Sequence, residues 1–296
     1  MCGLLEWIVN LFSGGNTPPP KPEPIVDVSV SRPAGKYALL VGIDEYNNPK
    51  MNLMGCVPDI LQMKEVLIDR GFRNKNIRVL INDKATKKNI LDLLEQMIVD
   101  SIPGDELVFQ FSGHGSQVPD LNGDEPDKLD EILIPYDLDW YGNYISDDDI
   151  AERFKKLPQG VFLSMISDSC HSGTISRDIK SRTKYISPPA HMLQLIFSTK
   201  DLKLNPIGMR TDGGSQRHVL LAGCRSTQTS ESAVIDGAWH GVLTYYFIKS
   251  LNNKETWRDC YISLLDMIGA SRHEQTPQLT GSEDLINRPV FGGRNG

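Results

Sequence analysis

Residues 161–173 read VFLSMISDSCHSG. A short apolar run of this length describes a strand buried on both faces, and the acidic, small and glycine residues after it end the strand and turn the chain. Cys170 is thereby delivered just past a strand's carboxyl end, where ligands and chemistry collect in parallel sheets. A second stretch, ELVFQFSGHG at 106–115, repeats the design with His114 in the corresponding place.

Outward from these two stretches the pattern alternates strands and helices. YALLVGI (37–43) and NIRVLI (76–81) read as strands. VPDILQMKEVLIDRGF reads as a helix opened by Pro58 and closed by Gly71, and TKKNILDLLEQMIV as a helix with Thr86 as its N-cap. EILIPY gives a short strand, DDDIAERFKKL a helix, RHVLLAGC (217–224) another strand, and helices come after it near 239–251 and 255–271. The fold class is α/β, with one mostly parallel sheet covered by helices on both faces. Residues 174–216, rich in Arg, Lys, Ser and Pro, read as irregular and exposed apart from a short helix at HMLQLIFS.

The chain has 296 residues, enough for one large core, and a net charge of −7 that excludes a basic nucleic-acid-binding surface. Its five cysteines are an odd, scattered set without a C-x-x-C pair, so neither a disulfide framework nor a structural zinc site is signalled. The thiols read as reduced and the location as cytoplasmic. LLEWIVNLF near the start is too short to span a membrane. Residues 4–12 are expected either to pack or lie loose, or to dock on a membrane surface or partner through one apolar helix face. A proline-rich linker comes next, so residues 1–35 stand apart from a domain over 36–296.

A cysteine thiolate attacks amides, and an imidazole within hydrogen-bond reach takes its proton and later protonates the leaving amine. His114 and Cys170 at matching strand ends fit that pair. His171 is the poorer base, because consecutive side chains in extended chain point to opposite faces. The amides of Gly115 and Cys170 are placed to stabilise an oxyanion. Cys56, Cys224 and Cys260 lack such surroundings and read as core residues.

KYALLVGIDEYNN…LMGCVPDI, FQFSGHGSQVPDLNGDEPDKLDEILIPYD, YISDDDI, ISDSCHSG and LLAGCRSTQTSES resemble, in order, the successive blocks of metacaspases, the caspase-like cysteine proteases. The resemblance covers about residues 36–251. It implies a caspase–hemoglobinase fold with a large-subunit-like part (36–173), the exposed loop 174–216 and a small-subunit-like part (217–296). It also implies a His114–Cys170 dyad, protein or peptide substrates cut after Arg or Lys, and a monomer.

Family correspondence puts Asp59, Ser112 and Asp168 at the specificity pocket, where carboxylates would bind a guanidinium or ammonium. Without it, Asp59 reads equally as a helix N-terminal residue and Asp168 as a turn residue. The sequence departs from the family at Ser226 and Ser232, where many metacaspases are acidic, and Glu231 is the candidate substitute. The resemblance further implies a calcium site at Asp130, Asp147 and Asp148, with calcium as an activator; by composition alone these carboxylates are a solvated face. Arg177, Lys180, Arg182 and Lys184 are candidates for self-cleavage in an exposed loop. Two other readings stay open: an aspartate-directed protease of the same fold, and a catalytically idle scaffold.

Overall fold

The computed structural model describes residues 32–120, 129–171, 181–192, 217–224, 228–251 and 256–293. Met1–Pro33 and Ala34–Gly296 separate as two units, and the fold and the site belong to the second. The docking segment at 4–12 lies outside the described residues, as do Arg177, Lys180 and Ser226.

The amino-terminal part runs β1 (Lys36–Gly42), α1 (Cys56–Asp69), β2 (Ile77–Ile81), α2 (Lys87–Val99) and β3 (Glu106–Ser112). A small antiparallel sheet comes next, β4 (Gly115–Pro119), β5 (Leu129–Leu133) and β6 (Ile145–Ser146), and then α3 (Asp147–Lys155) and β7 (Phe162–Asp168). After these come β8 (Ser181–Thr183), β9 (His218–Ala222), β10 (Glu231–Ile235), β11 (Ala238–Gly241), α4 (Val242–Ser250), α5 (Trp257–Gly269), β12 (Gln278–Thr280) and α6 (Glu283–Ile286).

The main sheet has the order β12-β9-β7-β3-β1-β2. All its pairs are parallel except β12 on β9 at one edge. Since β9 lies beside β7, one sheet does run through both parts of the domain. Both faces are covered, which is why its strands are continuously apolar. Leu39, Val41, Phe109 and Phe111 pack with Ile90, Leu94 and Ile98 of α2 and Phe154 of α3. Ala38, Leu40, Val108 and Ile166 face the other way, toward Ile60 and Met63 of α1, Phe247 of α4 and Leu264 of α5. Thr86 caps α2, accepting from the Asn89 amide at 3.2 Å.

Two expectations need correction. The helix read from 239 begins at Val242, because Asp236-Gly237 takes positive φ values of 51° and 88° and closes a hairpin between β10 and β11. The segment read as irregular and exposed contains β8, which pairs with β10 in a three-stranded sheet. Its basic composition mimics a solvated loop, yet its Lys184 is fully buried.

Phe109 at the centre of β3 is completely buried. Phe109→Ala is expected to lower stability by roughly 3–5 kcal/mol, read as a lower urea midpoint with an unchanged slope; a midpoint equal to wild type would show that the core does not close around this strand.

Candidate active site

β3 and β7 are neighbours in register, with Ser112 opposite Asp168, so the turns after them emerge side by side. They are in direct contact: a Cβ on Gly115 would lie 2.4 Å from the Cys170 carbonyl oxygen. Only glycine permits that approach.

His114 is buried on the first turn. Its Nε2 lies 2.7 Å from the Met51 carbonyl oxygen. A carbonyl only accepts, so Nε2 carries the hydrogen and Nδ1 keeps the lone pair. Nδ1 makes no hydrogen bond among the described residues. The His114 amide donates to Tyr46 Oη at 2.8 Å, which ties the turn to the loop carrying Met51. Burial pushes the imidazole pKa down to about 4, the Lys184 charge adding to the shift and the Met51 bond opposing it. His114 is thus a neutral base at physiological pH. The neighbouring His171 has Nδ1 3.3 Å from the Ser116 carbonyl, and burial also brings it down to about 4.

Cys170 is fully buried, with Sγ 3.2 Å from the Gln228 carbonyl oxygen. Cys224 Sγ lies 3.9 Å from Cys170 Sγ and 3.1 Å from the same carbonyl. Cys224, read from sequence as a core residue, lies instead beside the cysteine at the strand end, because β9 runs parallel to β7 and ends at the same edge. Cys56 and Cys260 are core thiols, and burial raises Cys56 to about 12.

Residues 181–186 lie across these turns as a strap. β8 pairs antiparallel with β10, Glu231 facing Thr183 and Ala233 facing Ser181. The Lys184 amide donates to the Ser230 carbonyl at 2.9 Å. The Lys184 carbonyl oxygen accepts from two amides at once, Gly115 at 2.9 Å and Cys170 at 3.2 Å. Beyond it the Ile186 amide donates to the Gly115 carbonyl at 3.0 Å, and Ser116 Oγ donates to the Ile186 carbonyl at 2.6 Å. The carbonyl of one peptide bond is therefore held by two amides at once, with chain gripped on either side of it.

The Lys184 side chain has no exposure to solvent. Its ammonium lies 3.0 Å from Asp168 Oδ2 and donates to Ser112 Oγ at 3.0 Å. Burial alone would lower its pKa, but the charges of Asp168 and, further off, Asp59 hold it above an ordinary lysine. Asp168 also accepts from Ser230 Oγ at 2.8 Å, from Thr244 Oγ1 at 2.8 Å and from the Thr244 amide at 3.2 Å. Asp59 Oδ1 lies 2.7 Å from His240 Nδ1, and its Oδ2 accepts from the Gly241 amide. Gly241 is the N-cap of α4 and Thr244 is in its first turn, so the positive end of this helix faces both carboxylates. A side chain at 241 would displace the ion pair, because its Cβ would lie 2.2 Å from Asp168 Oδ2 and 2.4 Å from Lys184 Nζ.

Residues 36–178 match the family model described as the metacaspase, peptidase C14 domain. Metacaspase-1B of Aspergillus fumigatus is 32% identical over 295 positions, covering 86% of this chain and 72% of that protein. The chain belongs to the metacaspases. Metacaspase-1 of Schizosaccharomyces pombe is 30% identical, with 84% of this chain and 68% of that one covered. In fold the chain is similar to a protein from Geobacter sulfurreducens (TM-score 0.64, 23% identity, 88% of this chain and all of that one) and to Caspase-1 from Spodoptera frugiperda (TM-score 0.58, 12% identity, 89% and 92%). The metacaspases are cysteine peptidases, and the caspase-like fold that the resemblance implies, within the α/β class read from the strand and helix pattern, is the one found.

Of the residues read from this metacaspase's sequence, His114, Gly115, Cys170, Ser112, Asp168 and Asp59 surround Lys184. Asp168 and Ser112 touch its ammonium, while Asp59 acts on it through charge alone. Glu231 does not take the pocket role: it lies beside Thr183 on β10, and its carboxylate is 3.7 Å from His273 Nδ1. Ser232 is buried, and its hydroxyl has no hydrogen-bond partner among the described residues. Sequence reading does not single out Ser230, Gly241, Thr244, His240 or Met51. Ser230 lies inside the QTSES block, so it carries a signal; Met51 acts through its carbonyl and carries none.

The calcium residues are less gathered. Asp147 and Asp148 open α3 under a Ser146–Asp149 capping box, and Asp147 Oδ1 accepts from the Asp148 amide at 3.1 Å. Asp130 lies on β5. Hard carboxylate oxygens suit calcium, but among the described residues no three His, Cys, Asp or Glu side chains are grouped as a metal site.

Removing one member of a buried ion pair typically costs about 3–5 kcal/mol. Asp168→Asn is therefore expected to loosen the strap, speeding hydrogen exchange at amides 184 and 186 by about a hundredfold or more while β1 and β3 keep their protection. Unchanged exchange at those two amides would show that the Lys184–Asp168 pair does not hold the strap down.

Proposed function

We propose that this metacaspase is an endopeptidase that cuts after lysine or arginine with a His114–Cys170 dyad, and that it processes itself between Lys184 and Tyr185. One observation carries the reading: a lysine fills the acidic pocket while its own carbonyl oxygen takes both amides beside Cys170. In the reaction, neutral His114 takes the thiol proton and Cys170 Sγ attacks the Lys184 carbonyl carbon. The Gly115 and Cys170 amides hold the resulting oxyanion. His114 then protonates the Tyr185 amine as it leaves, and water releases the acyl group from sulfur. An aspartate-directed enzyme would need a cation at Asp168, where a carboxylate stands. Arg182 becomes the third residue before the cut rather than the site of it.

Calcium is proposed as an activator acting through the acidic segment that includes Asp130, Asp147 and Asp148, outside the chemical steps. Cys56, Cys170, Cys224 and Cys260 are thiols rather than disulfide sulfurs, which supports a reducing, cytoplasmic setting.

In the purified full chain, the small fragment is expected to begin at Tyr185 on amino-terminal sequencing. Lys184→Arg should retain this cut, whereas Lys184→Ala and Cys170→Ala should lose it; a fragment beginning elsewhere, or one persisting in Cys170→Ala, contradicts the assignment. Peptides ending in Lys or Arg should be cleaved and their Asp counterpart should not, with activity falling when calcium is chelated.

Burial raises Asp59 to about 6 with the lysine in place, despite the His240 bond that opposes it. Above that pH it adds negative charge beside the substrate ammonium. Cleavage after lysine is therefore expected to rise as pH passes upward through about 6, and the inflection to vanish in Asp59→Asn. A profile identical in the two proteins would remove Asp59 from the pocket's electrostatics.

A further inference from the structure

Two sulfurs, not one, stand at the edge of the sheet where the chemistry collects. β7 and β9 pair in parallel with Ser167 opposite Ala222, so Cys170 comes three residues past that pair and Cys224 two past it. Their Sγ atoms are 3.9 Å apart, and both thiols donate to one acceptor, the Gln228 carbonyl oxygen, at 3.2 and 3.1 Å. The backbone just before Cys224 is fixed, because the Gly223 amide donates to the Ser167 carbonyl at 2.9 Å and the Gly223 carbonyl accepts from Gln275 Nε2 at 2.6 Å. Gln275 Oε1 accepts in turn from the Glu231 amide at 3.2 Å, and Gln228 Oε1 from the Thr276 amide at 3.1 Å. The shared carbonyl and both sulfurs thus belong to one braced cluster. The proposed hydrolysis makes no use of the second sulfur.

We propose that Cys170 and Cys224 form an oxidative modification site, at which hydrogen peroxide joins the two sulfurs as a disulfide and so withdraws the nucleophile reversibly. The inference takes from the proposed function only the activation of Cys170 by His114. His114 accepts the Cys170 proton, and the thiolate sulfur attacks one peroxide oxygen, breaking the O–O bond and leaving a sulfenic acid on Cys170. The other oxygen leaves as hydroxide and takes the proton from His114 to become water. Cys224 Sγ then attacks the Cys170 sulfur; the S–O bond breaks, and the hydroxide leaves with the Cys224 proton as a second water. Two thiols have given up two electrons and two hydrogens, and the peroxide has been reduced to two waters. The roles are unequal. The bond to Cys170, and after it burial, push the Cys224 thiol pKa up, so Cys224 stays protonated and acts second. Cys224 is half-buried, which leaves the pair open to a molecule as small as peroxide. From 3.9 Å the sulfurs must close by about 2 Å to bond, a movement that side-chain rotation supplies. Cys56 and Cys260 are fully buried in the core and serve as the unreactive comparison.

The test uses the purified full chain, freed of reductant, treated with hydrogen peroxide, blocked with an alkylating agent and digested. Mass spectrometry is expected to find the peptides of Cys170 and Cys224 joined, two hydrogens lighter than their sum, with Cys56 and Cys260 alkylated. Cleavage of a lysine peptide should fall about tenfold or more, and dithiothreitol should return at least about half of it. In Cys224→Ala, measured against its own untreated activity, Cys170 should instead gain two oxygens as sulfinic acid, and less than about a tenth of the activity should return. Cys224→Ser should behave as Cys224→Ala does; should neither variant fold, the wild-type crosslink decides alone. The site is overturned by a wild-type Cys170 recovered as a thiol, as sulfinic acid or paired with Cys2, and equally by the same recovery of activity in wild type and Cys224→Ala. An untreated chain that cuts no peptide removes the endopeptidase reading, while the joined peptides still report on the sulfur pair.

Discussion

A lysine ammonium withdrawn wholly from water is the constraint around which the cleft is arranged. An uncompensated charge in that position would simply lose its proton or pull the segment out. It stays because Asp168 meets it directly, Ser112 accepts a second hydrogen, and Asp59 adds negative charge nearby. Two carboxylates so close would themselves repel. The amino end of α4 relieves that, donating the Gly241 amide to one and the Thr244 amide to the other. The hairpin that delivers α4, the end of β7 and the start of α1 are thus joined through one cation.

The sheet explains why these groups can meet. Parallel strands β9, β7, β3 and β1 all present their carboxyl ends to the same edge, so loops distant in sequence become neighbours there. His114, Cys170 and Cys224 come directly after three consecutive strands of that order. Asp59 comes from the helix after β1, and Met51 from the loop between them. No residue of the constellation depends on a long irregular connection within the described chain. Precision of this kind favours catalysis, since reacting groups held by rigid elements need little reorganisation.

What the sequence disclosed reflects the range of the forces involved. The runs around Phe109 and Met165 announce strands because burial on two faces demands continuous apolar residues, and the glycines after them announce turns. The carboxylates Asp59 and Asp168 are legible only through family resemblance, because either residue serves equally at a helix start or in a turn. The hairpin at 236–237 carries its Asp-Gly signature, yet its second strand reads as the start of the helix near 239, since the WHGVLTYYFIKS pattern overrides a two-residue signal. The strap is the least legible. Arg, Lys, Ser and Thr at 181–184 have the composition of a solvated loop, and nothing local reveals that the acidic partner waiting for Lys184 stands on another strand.

In the proposed self-processing, holding and cutting are balanced at the same two amides. They grip the Lys184 carbonyl at 2.9 and 3.2 Å in the ground state. Charge-assisted bonds to an oxyanion are shorter and stronger than bonds to a neutral carbonyl, so the same amides bind the tetrahedral state more tightly than the strap itself. Strand pairing with β10 and the lysine pocket, by contrast, are the same in both states and only secure the segment. A covering strap held in this way is stable toward dissociation, and in the proposed reaction the bond it presents to Cys170 is the one that is cut. What separates an inert cover from a cleavable one is the alignment of the thiol and the imidazole, and both turns that set it are fixed by contacts to neighbouring loops: Met51 and Tyr46 for His114, Gln228 for Cys170.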